Sequence, residues 1–560
     1  MFWRSLTHRG RWSLVSLASL ALAFGVCPST APAQNEGPAA GGDPALVVSL
    51  GSMNQLMQDI NYLTGAVGQP QAGGMFTVMA GAFTQGIDPT LPMGVVVHLV
   101  DGAPEPIALL PTSDVKTVLK RLEAQAGPAD ELDDGTLVLL VGANNVFVRQ
   151  VGNWAVIARS REVIDAAPAD PMAVLGEMGQ KYDLAVQLRV QDIPPALRDQ
   201  LIEMIRQGFD QALAQQPQAD ADATREATES TLDQLEQLIR DTEQLRFGLD
   251  IDPSAKQVSF DVSMTAVGGS ELAQIYQGQT AIPSRFASVI RDDAAMFLHA
   301  ASSISPAAVE QTKASLENSL QMVRGAIVNE AGLSAQERDE VTALVDRIGE
   351  LIIASVAEGK SDAGVLMIAA DSKPQLVLGA FVADGNEAAK IVKDLAQKVE
   401  GQDKAPRFEF DRSVYNGVTM HLVEADVPEK AEEARKVFGE TVRLHVGTAP
   451  QAVYLALGNA SAPLLQQLID AADSDQVTDR PLAQMRLKLM PILEYAQSIE
   501  ANETVGAMLE ALARSPDPGT VGFVSESIPN GTESRFTVGE GLLQAIGAAV
   551  RQTQLQNAQF

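Results

Sequence analysis

The strongest constraint on this chain is internal repetition: an order of strands and helices in its first half returns in its second. Asp43 to Leu50 (DPALVVSL) corresponds to Asp293 to Ala300 (DAAMFLHA), each an acidic residue leading into one apolar strand. Gly94 to Asp101 (GVVVHLVD) corresponds to Gly364 to Asp371 (GVLMIAAD), and each leads through a proline-containing turn into a second strand, Ile107–Leu110 or Leu376–Gly379. Helices with apolar residues at helical spacing follow, from Asp114 and from Asn386. Strands from Gly135 and Gly417, strands ending at Ala155–Ala158 and Ala452–Leu455, short helices at 161–167 and 461–472, and hairpins at Phe247–Met264 and Gly522–Val538 complete the two copies.

Strands joined mostly by short turns predict antiparallel sheets, and the interspersed helices predict cover on one face, so the expected class is α+β with two tandem related modules. The expected domains are a first repeat at 44–280 and a second at 285–560, with a short linker at Gln277–Ser284 marked by Gly278 and Pro283. The copies are expected to differ in inserted helix: a hairpin at Pro194–Gln244 in the first, and long helices at Pro306–Glu330 and Ser334–Glu358 in the second. Each half is expected to bury its own sheet face, with Val47 and Phe297 in equivalent places of two separate cores and Leu139 equivalent to His421.

The segment Asp293-Ala294-Ala295-Met296-Phe297 carries a family resemblance. The arrangement resembles exported bacterial proteins with paired modules that open on an Asp-Ala-Ala-x-Phe strand. No activity is attached to that group, so the resemblance implies a fold and an address but no chemistry. At the corresponding place the first copy has Asp43-Pro44-Ala45-Leu46-Val47.

Residues 1–33 have the order of a secretory signal: Arg4, Arg9 and Arg11, then the apolar stretch Ser13–Val26, then the small-residue cleavage site Ala31-Pro32-Ala33. Residues 34–43 read as a flexible leader. The alternative, lipidation of Cys27, is disfavoured because Phe24-Gly25-Val26 is a poor attachment box. Cys27 is the only cysteine, so cleavage would leave a chain held together by burial alone. The expected location is periplasmic or secreted, with no transmembrane segment after cleavage.

Charge narrows the partners. The chain has 41 basic and 71 acidic residues, a net charge of −30, with no Lys/Arg stripe. Nucleic acid is excluded on that ground, and so is a bare anionic membrane surface.

Several local patterns invite a chemical reading, and each has a structural one beside it. Ala354-SVAE-Gly359-Lys360-Ser361 fits a permissive phosphate-loop pattern, but a helix precedes it and a strand follows, the reverse of what phosphate binding needs. No nucleotide is expected. Asp250, Asp252 and Asp261 are spaced like calcium-loop ligands, yet Ala255 stands where glycine is required and the flanks alternate like strands. His98, His299, His421 and His445 all lie in apolar strand patterns without ligand spacing. His421 would face away from Glu424 and Asp426. Trp154 reads as packing. No catalytic, metal or cofactor residue is predicted.

Three functional classes follow. The first is a non-catalytic binding or scaffold protein of the envelope. The second is a carrier of a lipid or other apolar ligand, with Met53, Met57, Met75, Met79 and Met93, and above all the run Gly74–Phe83, lining a cavity, although gap filling in a packed core is the preferred reading of these methionines. The third is a carboxylate-dependent hydrolase, for which two acidic side chains with raised pKa values would have to converge in a cleft.

Overall fold

The computed structural model describes residues 43–557 apart from 101–102, 142–143, 215–231, 330–333, 371–372, 400–404, 473–476 and 478. The expected signal sequence, Cys27 and the expected leader as far as residue 42 lie outside the described residues.

Apolar, β-branched runs bounded by Gly, Pro and Asp turns form the strands. The first half contributes β1 (Leu46–Leu50), β2 (Met93–Val100), β3 (Ala103–Pro111), β4 (Asp130–Glu131), β5 (Leu137–Val141), β6 (Asn144–Val151), β7 (Trp154–Ala158), β8 (Leu184–Arg189), β9 (Thr242–Asp252) and β10 (Gln257–Ala266). The second contributes β11 (Met296–Ser303), β12 (Lys360–Ala370), β13 (Lys373–Phe381), β14 (Arg407–Tyr415), β15 (Val418–Asp426), β16 (Thr441–Ala449), β17 (Ala452–Leu457), β18 (Ala483–Lys488), β19 (Thr520–Ile528) and β20 (Gly531–Gly539).

All of them join one antiparallel sheet. Its first half runs β4-β5-β6-β7-β3-β2-β1-β8-β9-β10. There β10 pairs with β20, and the sheet continues β20-β19-β18-β11-β12-β13-β17-β16-β15-β14. Read outward from the β10–β20 contact, both halves follow the same order of pairing. The registers agree as well: Leu46 lies opposite Val97 and Leu188, and Met296 opposite Met367 and Leu487.

Followed strand by strand, these registers bring Asp261 and Arg535 to corresponding places, and the two are direct cross-strand partners in β10–β20. They mark the midpoint of the sheet. The same tracing sets Leu137, rather than the expected Leu139, in the place of His421 (Leu137 opposite Val148, His421 opposite Val446). A two-residue error keeps the face and shifts the register, which apolar alternation alone cannot distinguish.

The helices correct two expectations. Helical hairpins stand in the same places in both halves. Between β1 and β2 are Met53–Ala66 and Pro70–Phe83; between β11 and β12 are Pro306–Asn329 and Ala335–Ala357. Between β8 and β9 are Pro195–Ala214 and a helix at 232–241; between β18 and β19 are Leu489–Ile499 and Glu503–Arg514. The Pro70–Phe83 helix has only Gln71 and Thr77 as polar side chains, so it shows no apolar stripe by which to recognise it.

Helices also cover both faces, not one. Leu175 and Met178 of helix Pro171–Lys181 pack beside Val47, Val96 and Ala185 on one face. Leu543 of helix Glu540–Asn557 and Tyr62 and Leu63 of helix Met53–Ala66 pack beside Ile251, Val258 and Val538 on the other.

Two large cores lie in separate halves, one around Val47, Leu109 and Val156 and the other around Phe286, Phe297 and Leu465. Phe297 and Val47 are both buried, at 5% and 2% exposure. The cluster around Leu543, however, draws on both halves, so burial is not wholly separate. The expected linker is not a loose tether either. Ala281 bridges to Ser302 and Ser284 donates to Asp362 (2.5 Å), while Phe286 is fully buried in the second core.

Candidate functional site

The cross-strand registers sort the central strands into two chemically different faces. On one, from β2 across the midpoint to β13, no paired position among the described residues holds an Asp, Glu, Lys, Arg or His. Val48, Val186, Phe247, Val262, Phe523 and Leu298 belong to it, with Thr532, Ser534 and Ser525 among its few polar members. A face this apolar is ordinarily sealed. Here Phe247 is 49% exposed, Phe260 46% and Phe536 38%, and Val262 and Leu298 are exposed to a similar degree. Helices Met53–Ala66 and Glu540–Asn557 cover this face near Ile251 and Val538, and helix Glu271–Gln277 covers it near Ala266. Between those covers the sheet is open.

The opposite face at the midpoint is polar, with Asp261 buried at its centre. Arg535 holds Asp261 in a two-pronged pair, Nε to Oδ1 at 2.8 Å and Nη2 to Oδ2 at 2.7 Å, while the Tyr182 hydroxyl donates to Oδ2 at 2.9 Å. Burial alone would raise the pKa of Asp261, but the hydrogen bonds from Arg535 and Tyr182 outweigh it and hold the carboxyl below its usual range. Gly248 is required here by a close approach, because a Cβ would stand 2.3 Å from the Tyr182 ring.

Beside this seam, two carboxylates converge. Asp59 of helix Met53–Ala66 shares a hydrogen bond with Asp183, and both are 3% exposed. Asp183 accepts the Ile251 N–H at 2.7 Å and a Gln55 amide hydrogen at 3.4 Å, which tie it to the sheet and to the helix at once. Burial, then that hydrogen bond and the charges of Asp183, Asp250 and Asp252, push Asp59 up to about 8. Asp59 is therefore the protonated partner at neutral pH and donates to Asp183. The pair has the raised acid that a hydrolase would need but lies sealed beneath a helix, not in a cleft, so it reads as a latch between helix and sheet. Its one trace in the sequence is that Asp59 is the only charged side chain between Met53 and Ile87.

The other sequence candidates fall apart as sites. Lys360 and Ser361 belong to β12 itself, and the Lys360 ammonium lies 4.1 Å from the centre of the Phe381 ring. Gly359, at φ +69°, only turns the chain out of helix Ala335–Ala357. Asp252 is spent on its own turn, accepting from Ser254 N–H (2.8 Å), Ser254 hydroxyl (2.5 Å) and Ala255 N–H (2.9 Å), while Asp261 faces Arg535. His421 accepts the Asp411 N–H at Nδ1 (3.0 Å) and meets Thr448 through Nε2 (3.3 Å); burial lowers its pKa, so it is a neutral core residue. Burial likewise lowers His445. Glu424 is held by Arg443 at 2.6 Å. Trp154 and His98 are buried in their strands.

One cluster was invisible in sequence. His299 Nε2 lies 2.9 Å from the Ser284 hydroxyl, which donates to Asp362 at 2.5 Å. The order is wrong for nucleophile activation, since the serine proton goes to the aspartate and not to the imidazole. All three are buried, at 0%, 2% and 8% exposure. The run Gly74–Phe83, expected to line a cavity or a core, instead lies on an outer helix with Met75, Val78 and Met79 at 56–76% exposure. A surface cleft of about 860 Å³ lies between helices 232–241 and Glu271–Gln277, but three of the four acids that line it are engaged: Asp241 accepts the Leu272 N–H, Glu271 a Gln237 amide hydrogen, and Glu310 pairs with Lys313.

No group of three or more metal-ligating side chains occurs among the described residues. Comparison with protein-family models, curated proteins and solved structures finds no match.

Proposed function

We propose that this is a non-catalytic binding protein of the cell envelope that takes lipid acyl chains on the open apolar face of its central sheet. The observation that carries this reading is the run of cross-strand positions from β2 to β13 without an ionisable side chain, left open around Phe247, Phe260 and Phe536. Open apolar patches on monomers rarely exceed a few hundred Å² unless something binds them. Eleven strands span this face, so at about 4.8 Å per strand it runs for about 48 Å. An elongated, uncharged strip of that length suits extended hydrocarbon better than a compact polar molecule. The matched pairing order supports descent of the two halves from one module, and the signal-like N-terminus supports export, in keeping with the exported paired-module proteins that the sequence resembles.

Native mass spectrometry of protein purified from its own host tests the reading. A retained lipid mass is expected, and its loss in Phe260→Glu/Phe536→Glu, with the circular dichroism spectrum unchanged. Protein that carries no lipid and takes up none from a fluorescent fatty-acid series would overturn it.

A further inference from the structure

The hairpin between β1 and β2 differs from its counterpart between β11 and β12 in one respect that its position does not explain. Helices Pro306–Asn329 and Ala335–Ala357 carry eleven charged side chains, as helices facing water do. From Met53 to Ile87 there is one, Asp59, and it is buried and protonated at neutral pH. In a chain with 20% charged residues, this hairpin presents water with no charge at all.

Its second helix, Pro70–Phe83, is the outer one. It rests on helix Met53–Ala66 through small contacts: Asn61 donates to Thr77 at 3.1 Å, and a Cβ at Gly73 would lie 2.3 Å from the Thr64 hydroxyl. Met75, Val78 and Met79 point outward at 62%, 76% and 56% exposure, and Phe76 is 37% exposed. A helix apolar on nearly all sides belongs in a core or against lipid, and this one lies in no core.

We propose that the hairpin Met53–Phe83 is a membrane-contact element that seats helix Pro70–Phe83 in the apolar interface of a lipid bilayer. Fourteen residues make a helix about 21 Å long, too short for the roughly 30 Å hydrocarbon core but suited to lying in its boundary. A second copy of the chain is the weaker occupant. Four exposed side chains offer about 400 Å². Two such helices pairing would cover about 800 Å², below the roughly 1,200 Å² of a stable interface. With a net charge of −30 and no cation in the hairpin, anionic lipid should add nothing to the binding. This inference rests on the hairpin and stands apart from the acyl-chain reading.

Hydrogen exchange of the full chain, with and without phosphatidylcholine vesicles, tests it locally, so that binding by the N-terminal apolar segment is not mistaken for it. Exchange in residues 70–83 is expected to slow about tenfold or more with vesicles, at high and low salt alike, while residues 306–357 do not change. Met75→Glu/Val78→Glu should abolish the protection with the circular dichroism spectrum intact, and Met322→Glu/Val328→Glu should leave it in place. Three results would each overturn the proposal: no protection of 70–83, protection only with anionic vesicles, or protection that grows with protein concentration in the absence of lipid, which would indicate a second copy.

Discussion

Replacing Asp59 with Asn should stabilise this protein at neutral pH, and the gain should grow with pH. The unfolded chain ionises this carboxyl near its ordinary value of 3.8, whereas the folded chain holds the proton to about 8. Between those values the folded state binds one more proton than the unfolded state. Stability from this group is therefore complete below about pH 4 and is lost as pH rises through about 8. The slope is about 1.4 kcal/mol per pH unit, which summed to pH 7 gives at most about 4 kcal/mol. Asparagine keeps a neutral N–H donor toward Asp183 and has no proton to lose. The variant should thus lack this slope between pH 5 and 8 while matching the parent near pH 4. Urea unfolding across that range reads it directly, with hydrogen exchange at residues 53–66 to localise the effect. Parallel pH profiles for the two proteins, or a less stable variant at pH 7, would refute the protonated-pair reasoning.

Arg535→Ala should destabilise by about 2–3 kcal/mol, below the usual cost of breaking a buried pair because the arginine side chain is 49% exposed. Adding Asp261→Asn should recover part of that loss in the unfolding midpoint. Phe297→Ala should cost about 3–5 kcal/mol, since the ring is 5% exposed, whereas Phe260→Ala, 46% exposed, should cost under about 1 kcal/mol and show its effect in lipid uptake instead. Lys360→Ala should lose no more than the about 0.5–1 kcal/mol of its contact with Phe381, and isothermal titration should show no ATP binding before or after.

The sequence by itself determined the α+β class, the identity of most strands and the positions of Val47 and Phe297 in two cores, because these depend on short-range alternation of apolar and polar residues. The phosphate-loop and calcium patterns fail on local order in the sequence, and in the structure Lys360 and Ser361 lie in β12 while Asp252 caps its own turn. The tertiary structure alone decided how the halves join. The pairing of β10 with β20 sets Asp261 against Arg535, residues 274 apart in sequence, and no local pattern records which edge strand meets which. It decided the faces as well. Phe247, Phe260 and Phe536 alternate like core residues, and only the placement of the surrounding helices leaves them open to solvent. The Asp59–Asp183 pair depends on a helix settling over a strand more than a hundred residues away. Periodicity reports which face of an element is apolar, and long-range packing determines whether anything covers it.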